Sequence, residues 1–476
     1  MQFNSYAYLI LLGLAVPLFW LLPVSARRIY VLLLSFAFYA TWNVAFLVLP
    51  LMLCAIAYAA SSGIRAGGPR AGRALWLGIG SIMLVLGFFK YGRFIAENAA
   101  AASQWLGLNL HVQPWALALP LGISFYSFEA VSYLLDTRQG RVKSASFSDL
   151  ALFIMFWPHL VAGPIVRTRE LLPQLKFDKP FESRFIFGGL DRLLVGLAQK
   201  NLIANTIGGW VDDGFGPKTA LLNTTIDNWA LGIGFGIQIY FDFAAYSNMA
   251  IGAAQMIGIT LPENFRYPYH MANPADFWAR WHMTLSRWIR DYVFFPLNAG
   301  LENRQLRLYL SLVTVMGIVG LWHGAGWGFI LWGVMHGVYL ATYRAIEAWR
   351  GESTPQPLPV RLTWRFVTLA AVIAAWIPFR ASSVGQALGM LKSMFGHFVP
   401  GYSYSVNFYL MVAFWCGWIV IEPVVGMLVT RLGSPDQAGV MGVVNRSLLR
   451  PVGYATLLLL FLMFDDRDTQ FIYFQF

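Results

Sequence analysis

Charge is what this chain has least of. Asp, Glu, Lys and Arg make up only 12% of its 476 residues, against roughly 25% in an average soluble domain. Between residues 308 and 343 there is no formal charge at all. Hydrophobic residues reach 58% and the mean hydropathy is +0.57. An ordinary soluble globule is excluded, and a polytopic helical membrane protein is expected. The apolar runs are continuous rather than alternating, which argues against a β-barrel. Cysteine is nearly missing too. Cys54 and Cys416 both lie in apolar segments, offer no disulfide framework, and read as small core hydrophobes. The sequence has no His-x₃-His, Cys-x₂-Cys or His-Glu-x-x-His spacing, so no metal site is expected. It also has no P-loop, no G-x-S-x-G elbow, no internal repeat and no low-complexity tail.

The charge that is present leans basic, with a net charge of +11. The basic residues sit in short loops between apolar spans, which fits the positive-inside rule and not a nucleic-acid partner. Arg27 is the first of them, so the basic n-region of a signal peptide is missing and residues 6–24 read as a retained membrane helix. A bilayer core needs ~20 mostly apolar helical residues. Candidate spans are 6–24, 29–41, 44–62, 74–90, 116–136, 150–166, 185–207, 226–241, 244–260, 308–323, 327–345, 362–379, 408–430 and 448–464. The fold class expected is an all-α polytopic integral membrane protein with roughly 11 to 14 membrane helices plus re-entrant and interfacial helices. One domain is expected over 1–476, with peripheral helices in 1–114, a catalytic core in 115–345 and C-terminal helices in 346–476. Three basic clusters, Arg27 and Arg28, then Arg65, Arg70 and Arg73, then Arg138, Arg141 and Lys143, place the N-terminus outside and these loops in the cytoplasm. The run WPHLVAGPIV breaks its own helix with Pro158, Gly163 and Pro164, so its backbone must be buried in protein or line a wet cavity. GESTPQPLP, residues 351–359, reads as an ordinary loop.

Residues 273–296, NPADFWARWHMTLSRWIRDYVFFP, differ from everything around them. Asn273 can cap a helix that starts with Pro274 and has Asp276 in its first turn. Trp278, Trp281, Leu285, Trp288 and Tyr292 recur at helical spacing as one aromatic stripe. Asp276–Arg280 and Arg287–Asp291 are i,i+4 pairs on a neighbouring stripe. The pattern predicts one continuous interfacial helix with its rings at headgroup depth. His282 flanks the stripe, where position alone reads as amphipathic filler.

Two more histidines occupy the uncharged stretch GLWHGAGWGFILWGVMHG, residues 320–337. Ionisable groups in a membrane usually face the bundle interior or a water-filled path. His323 falls at the end of one helix, where Gly324, Ala325 and Gly326 let the chain turn. Trp327 opens the next helix and His336 lies well inside it. A cavity-facing base suits His323, since a neutral imidazole is a good general base near physiological pH. A hydrogen bond between packed glycine-rich helices suits His336.

The sequence resembles the membrane-bound O-acyltransferase family, in its bacterial alginate O-acetyltransferase-like branch. Five stretches carry the likeness: WPHLVAGPIVR (157–167), IQIYFDFAAYSNMAIGAAQMIGITLPENFRYPY (237–269), DFWARWHMTLSRWIRDYVFFPL, GLWHGAGWGFILWGVMHG and the closing FIYFQF (471–476). Asn248 departs from the pattern, which has Asp there, and is treated as a structural position. The resemblance implies a catalytic His323 with His282 as the second polar member of the site. Trp322, Trp281 and His336 would support it. It implies no bound cofactor, and a cytoplasmic acyl thioester, acetyl-CoA or an acetylated carrier, as donor. His323 would take the proton of the attacking hydroxyl, and His282 or the Trp322 indole would stabilise the oxyanion. It further implies a multi-pass protein of the bacterial inner membrane. Its partners would be a periplasmic or membrane-anchored hydrolase-like acetyltransferase, a polysaccharide synthesis and export complex, and membrane lipid. The polymer would be alginate, cellulose or another exopolysaccharide. Two other readings compete: a transporter or channel with His323 and His336 as proton relay, and a non-catalytic scaffold for a polysaccharide synthase.

Overall fold

The computed structural model describes residues 1–108, 118–142, 145–216, 223–299, 305–351, 357–398, 403–433, 450–463 and 471–472. Lys143, residues 116–117, residues 352–356 of GESTPQPLP, the outermost residues of the 448–464 span, and 473–476 of FIYFQF lie outside these. Regular secondary structure in the described residues is entirely helical. Five of these helices are long and apolar enough to cross a bilayer: Val44–Arg65, Gly68–Trp105, Gln305–His323, Leu358–Arg380 and Val406–Leu428. Shorter apolar helices include Tyr6–Leu21 and Arg450–Met463.

The chain forms two compact units, Met1–Leu193 with Ser247–Pro262, and Leu194–Tyr246 with Glu263–Phe476. In the first unit, Ile123–Arg138 is buried along nearly its whole length. The expected span 150–166 is helical only to Met155. Residues 156–166 then run as irregular buried backbone, as their prolines and glycines dictate. Trp157 N–H donates to Ser35 Oγ (3.2 Å), and the buried His159 ring sits 2.9 Å from the Glu129 carboxylate. Arg27 departs from its assignment to a loop. It lies in the Val24–Ala40 helix, 8% exposed, and donates to the carbonyls of Leu22, Phe177 and Lys179. Those carbonyls need a donor once buried, which explains a cation there without reference to topology. Asn248 accepts a hydrogen bond from Arg192 (2.7 Å), a packing role that an amide fills without a charge.

The expected spans 226–241 and 244–260 are one helix, Thr225–Met256. Asp242 lies between those two spans, its carboxylate 2.7 Å from Lys200 Nζ, and both are nearly fully buried. Neither glycine nor proline interrupts the helix there, so nothing ends it. The first part of this helix belongs to the second unit. At its start, Asp227 accepts five hydrogen bonds: from Thr224 N (2.8 Å) and Oγ1 (2.9 Å), Ser403 N (3.1 Å) and Oγ (2.8 Å), and Tyr409 Oη (2.5 Å).

The same unit holds the hairpin of Gln305–His323 and Trp327–Arg350. Glycines set its closeness. A Cβ on Gly320 would strike the Phe329 carbonyl, and one on Gly333 the Met316 carbonyl. The two helices touch backbone to backbone, which only glycine permits.

Candidate active site

The 273–296 segment is not one helix. Pro274–Arg280 ends at Trp281, and Met283–Ile289 starts after His282, which takes a left-handed conformation (φ +40°). Such a backbone costs a non-glycine residue on the order of 1 kcal/mol or more. Asn264 holds the break. Its carbonyl accepts from Met283 N–H (2.8 Å), and its side-chain Oδ1 accepts from Thr284 Oγ1 (2.8 Å) and lies 3.0 Å from His282 Nδ1. Arg266 N–H donates to the Arg280 carbonyl alongside (3.0 Å). Most of the aromatic stripe packs into protein. Trp281, Leu285, Trp288 and Tyr292 are between 1% and 8% exposed. Asp276 pairs with Arg280 as expected (2.8 Å). Asp291 pairs with its neighbour Arg290 (2.8 Å), while Arg287 donates to the carbonyls of Met283 and Glu263.

The bend also decides the state of His282. Asn264 Oδ1 takes donors from Thr284, so it is the acceptor, and the facing Nδ1 of His282 carries the proton. The lone pair is left on Nε2, which meets no hydrogen-bond partner among the described residues. Burial pushes the imidazole pKa down to about 3, so the ring is neutral. An acceptor at Nε2 suits a hydroxyl or thiol proton better than an oxyanion.

His323 ends the Gln305–His323 helix, 3% exposed, as the sequence predicts. Its ring lies 6.5 Å from that of His282, centroid to centroid. Trp322 (4.9 Å), Trp332 (5.1 Å) and Phe379 (5.5 Å) wall it in. His336 lies behind Trp332 (5.0 Å), stacked on Phe277 (5.7 Å) and edge-on to Trp278 (5.2 Å). The interhelical hydrogen bond expected of it does not involve Nε2, which has no partner among the described residues. Trp281 packs between Phe277 (5.6 Å) and Trp376 (5.0 Å). The structure therefore brings His282 and His323 together, with Trp322 beside both. It separates His336 from them by one indole. Asn264, Trp332, Phe379 and Phe243 belong to the site and were not singled out in the sequence. Asn264 sits inside a stretch noted for its resemblance, but no spacing links it to His282.

A groove of about 510 Å³ runs along the same hairpin helix. Leu312, Val315, Met316 and Val319 form one wall, and Leu285 and Trp278 stand opposite. His323 is four residues beyond Val319, the next position on that stripe. The charged side chains of the lining are Arg287, Arg290 and Arg344, all at least partly exposed. Among the described residues no group of three or more His, Cys, Asp or Glu is placed to hold a metal.

Known proteins resemble this chain over most of its length. The sequence model of the membrane-bound O-acyltransferase family matches residues 73–377. A probable alginate O-acetylase, AlgI, of Azotobacter vinelandii is 37% identical over 83% of this chain and 78% of that protein. A peptidoglycan O-acetyltransferase of Helicobacter pylori is 36% identical over 78% of this chain and 74% of its own. A teichoic acid D-alanyltransferase of Bacillus subtilis is 30% identical over 56% of this chain and 72% of its own.

Proposed function

The chain belongs to the membrane-bound O-acyltransferase family, and from that premise we propose that it carries acetyl from a cytoplasmic thioester across the bacterial inner membrane for O-acetylation of a secreted polysaccharide. As a multi-pass membrane O-acyltransferase it needs a proton acceptor and a path for its donor. The observation that carries the reading is the pairing of two buried imidazoles, His282 and His323, 6.5 Å apart in an aromatic chamber.

A thioester is already activated, so no enzyme nucleophile is required. The acceptor hydroxyl attacks the thioester carbonyl as His323 takes its proton. The tetrahedral intermediate collapses, the C–S bond breaks, and the leaving thiolate takes that proton back from the imidazolium. His282 lies beside His323 in the chamber and helps to orient the acceptor. Trp322, Trp281 and His336 shape the chamber. The donor is acetyl-CoA or an acetylated carrier. The apolar walls of the groove suit its extended arm, and Arg287, Arg290 and Arg344 suit its phosphate.

The acetyl group and a carbohydrate hydroxyl are supported by the names of the alginate and peptidoglycan relatives. The D-alanyl relative indicates that the fold itself does not fix the acyl group. The partners we propose are a hydrolase-like acetyltransferase, periplasmic or membrane-anchored, and the polysaccharide synthesis and export complex. Lipid covers the exposed apolar helix faces, where residues such as Trp76, Leu77 and Phe366 lie open. The test is transfer from radiolabelled acetyl-CoA in inverted vesicles together with the acetyl content of the polymer. His323→Ala is expected to abolish both while the protein remains inserted. Intact acetylation in that variant sinks the reading. Label accumulating as free solute, without acetylated product, would favour transport.

A further inference from the structure

Lys200 and Asp242 are each about 2% exposed, and their charged atoms are 2.7 Å apart. A buried ion pair of this kind is often no more stable than a hydrophobic pair of the same volume. Its use lies in fixing an arrangement, and here the arrangement has a third member. The second oxygen of Asp242 accepts a hydrogen bond from the backbone N–H of Ile472 (2.8 Å). Asp242 thus has one oxygen on Lys200 and the other on a segment far away in the sequence.

That segment reaches the site through rings. Phe471 lies over Tyr246, one turn beyond Asp242 on the same helix, with centroids 3.9 Å apart. It is 5.9 Å from Phe243. The Phe243 ring meets His282 edge-on at 4.6 Å, the closest ring contact recorded for that histidine. Phe471 and Ile472 are both almost fully buried. Asn264 holds His282 Nδ1, Phe243 packs edge-on against the ring, and Phe471 lies behind Phe243.

We propose that Asp242 is a positioning residue for acyl transfer. Held by Lys200, it latches the Phe471–Ile472 segment over Phe243 and so sets the orientation of the His282 ring. The inference rests on acyl transfer taking place at His282 and His323. Its central requirement is the acceptor oxygen for Ile472, not the charges themselves.

Two double variants separate those features. Lys200→Met with Asp242→Asn removes both charges and keeps a side-chain carbonyl for Ile472 N–H. Lys200→Met with Asp242→Leu removes the charges and the acceptor together. In vesicles, the first is expected to retain near-native kcat. The second is expected to lose about tenfold or more in kcat with little change in KM for acetyl-CoA. The segment is followed independently with Ile472→Cys in a Cys54→Ser, Cys416→Ser background. The new thiol is expected to resist maleimide in the Asn variant and to react in the Leu variant. Equal kcat and equal labelling in the two double variants overturn the proposal. Should neither double variant fold, Phe471→Ala decides, because it leaves the pair intact. A lowered kcat with an unchanged KM is expected there, and an unchanged kcat overturns the proposal. The labelling reads the latch even if His323→Ala leaves acetylation intact, so failure of the functional reading is distinguishable from failure of the latch.

Discussion

The Asp227 cluster and the histidine chamber are two buried polar regions of the same unit, built to opposite rules. Asp227 receives five hydrogen bonds from three residues. Its carboxylate has no remaining need for a partner, and such saturated networks rigidify a fold. In the chamber, His282 is bound on one nitrogen only, and the Nε2 atoms of both His282 and His336 find no partner among the described residues. Leaving a buried polar atom unmet costs roughly 1–3 kcal/mol. The open acceptor on His282 is consistent with the proposed role of the chamber in binding the acyl acceptor.

The sharpest way to break this contrast is to remove one residue from each region. His323→Ala is expected to lower acetyl transfer by ~10²–10⁴-fold, the usual contribution of a general base, with little change in thermal unfolding in detergent. Asp227→Ala is expected to do the reverse. Stability should fall by roughly 3 kcal/mol as buried donors lose their acceptor, while kcat per folded molecule holds. Comparable loss of stability from both changes would erase the distinction. Asn264→Ala lies between the two, since Asn264 both supports the bend and sets the tautomer of His282. A fall in kcat of roughly tenfold or more with a modest loss of stability is expected, measured by paired kinetics and unfolding.

Acid offers a smaller probe of the chamber. The pKa of His282 is lowered by burial to about 3, against roughly 6.5 in the unfolded chain. Its contribution to stability is therefore fully present above about pH 6.5 and is lost as pH falls toward the folded value. The slope is at most ~1.4 kcal/mol per pH unit. His282→Gln should flatten the fall in unfolding midpoint between pH 7 and 5, and an equal fall in both proteins would count against a neutral buried imidazole. The smallest effect is expected at Asn248→Asp, which turns the hydrogen bond from Arg192 into an ion pair and should shift stability by less than ~1 kcal/mol.

Periodicity made much of this molecule legible. The uncharged stretch between 308 and 343 yielded both helices of the hairpin, the glycine turn between them and the placement of His323 at the first helix end. Each of those is local. What escaped the sequence is non-local. The break at His282 follows from a left-handed residue pinned by Asn264, eighteen positions away, and no helical period encodes that. The 273–296 stripe is legible as a stripe, but that most of it packs into protein follows from the bend and the fold around it. The Thr225–Met256 helix covers two expected spans, 226–241 and 244–260. Asp242, between them, is buried against Lys200 on another helix, a pairing that no local pattern shows. Trp332 and Phe379 were invisible for the same cause: aromatic residues are common throughout the chain, and only the fold selects which of them surround an imidazole.

The glycine crossing of the hairpin has a consequence for how the sequence can drift. Where backbones meet at Gly320 and Gly333, neither helix can slide or rotate against the other without collision. His323 follows Gly320 by less than one turn, so its depth is gauged from that crossing. One extra residue between them would displace the imidazole by ~1.5 Å and swing it by about 100°, out of reach of His282. Substitutions around the hairpin are filtered one at a time for volume. An insertion or deletion within that turn would uncouple the imidazole from the crossing that sets its depth.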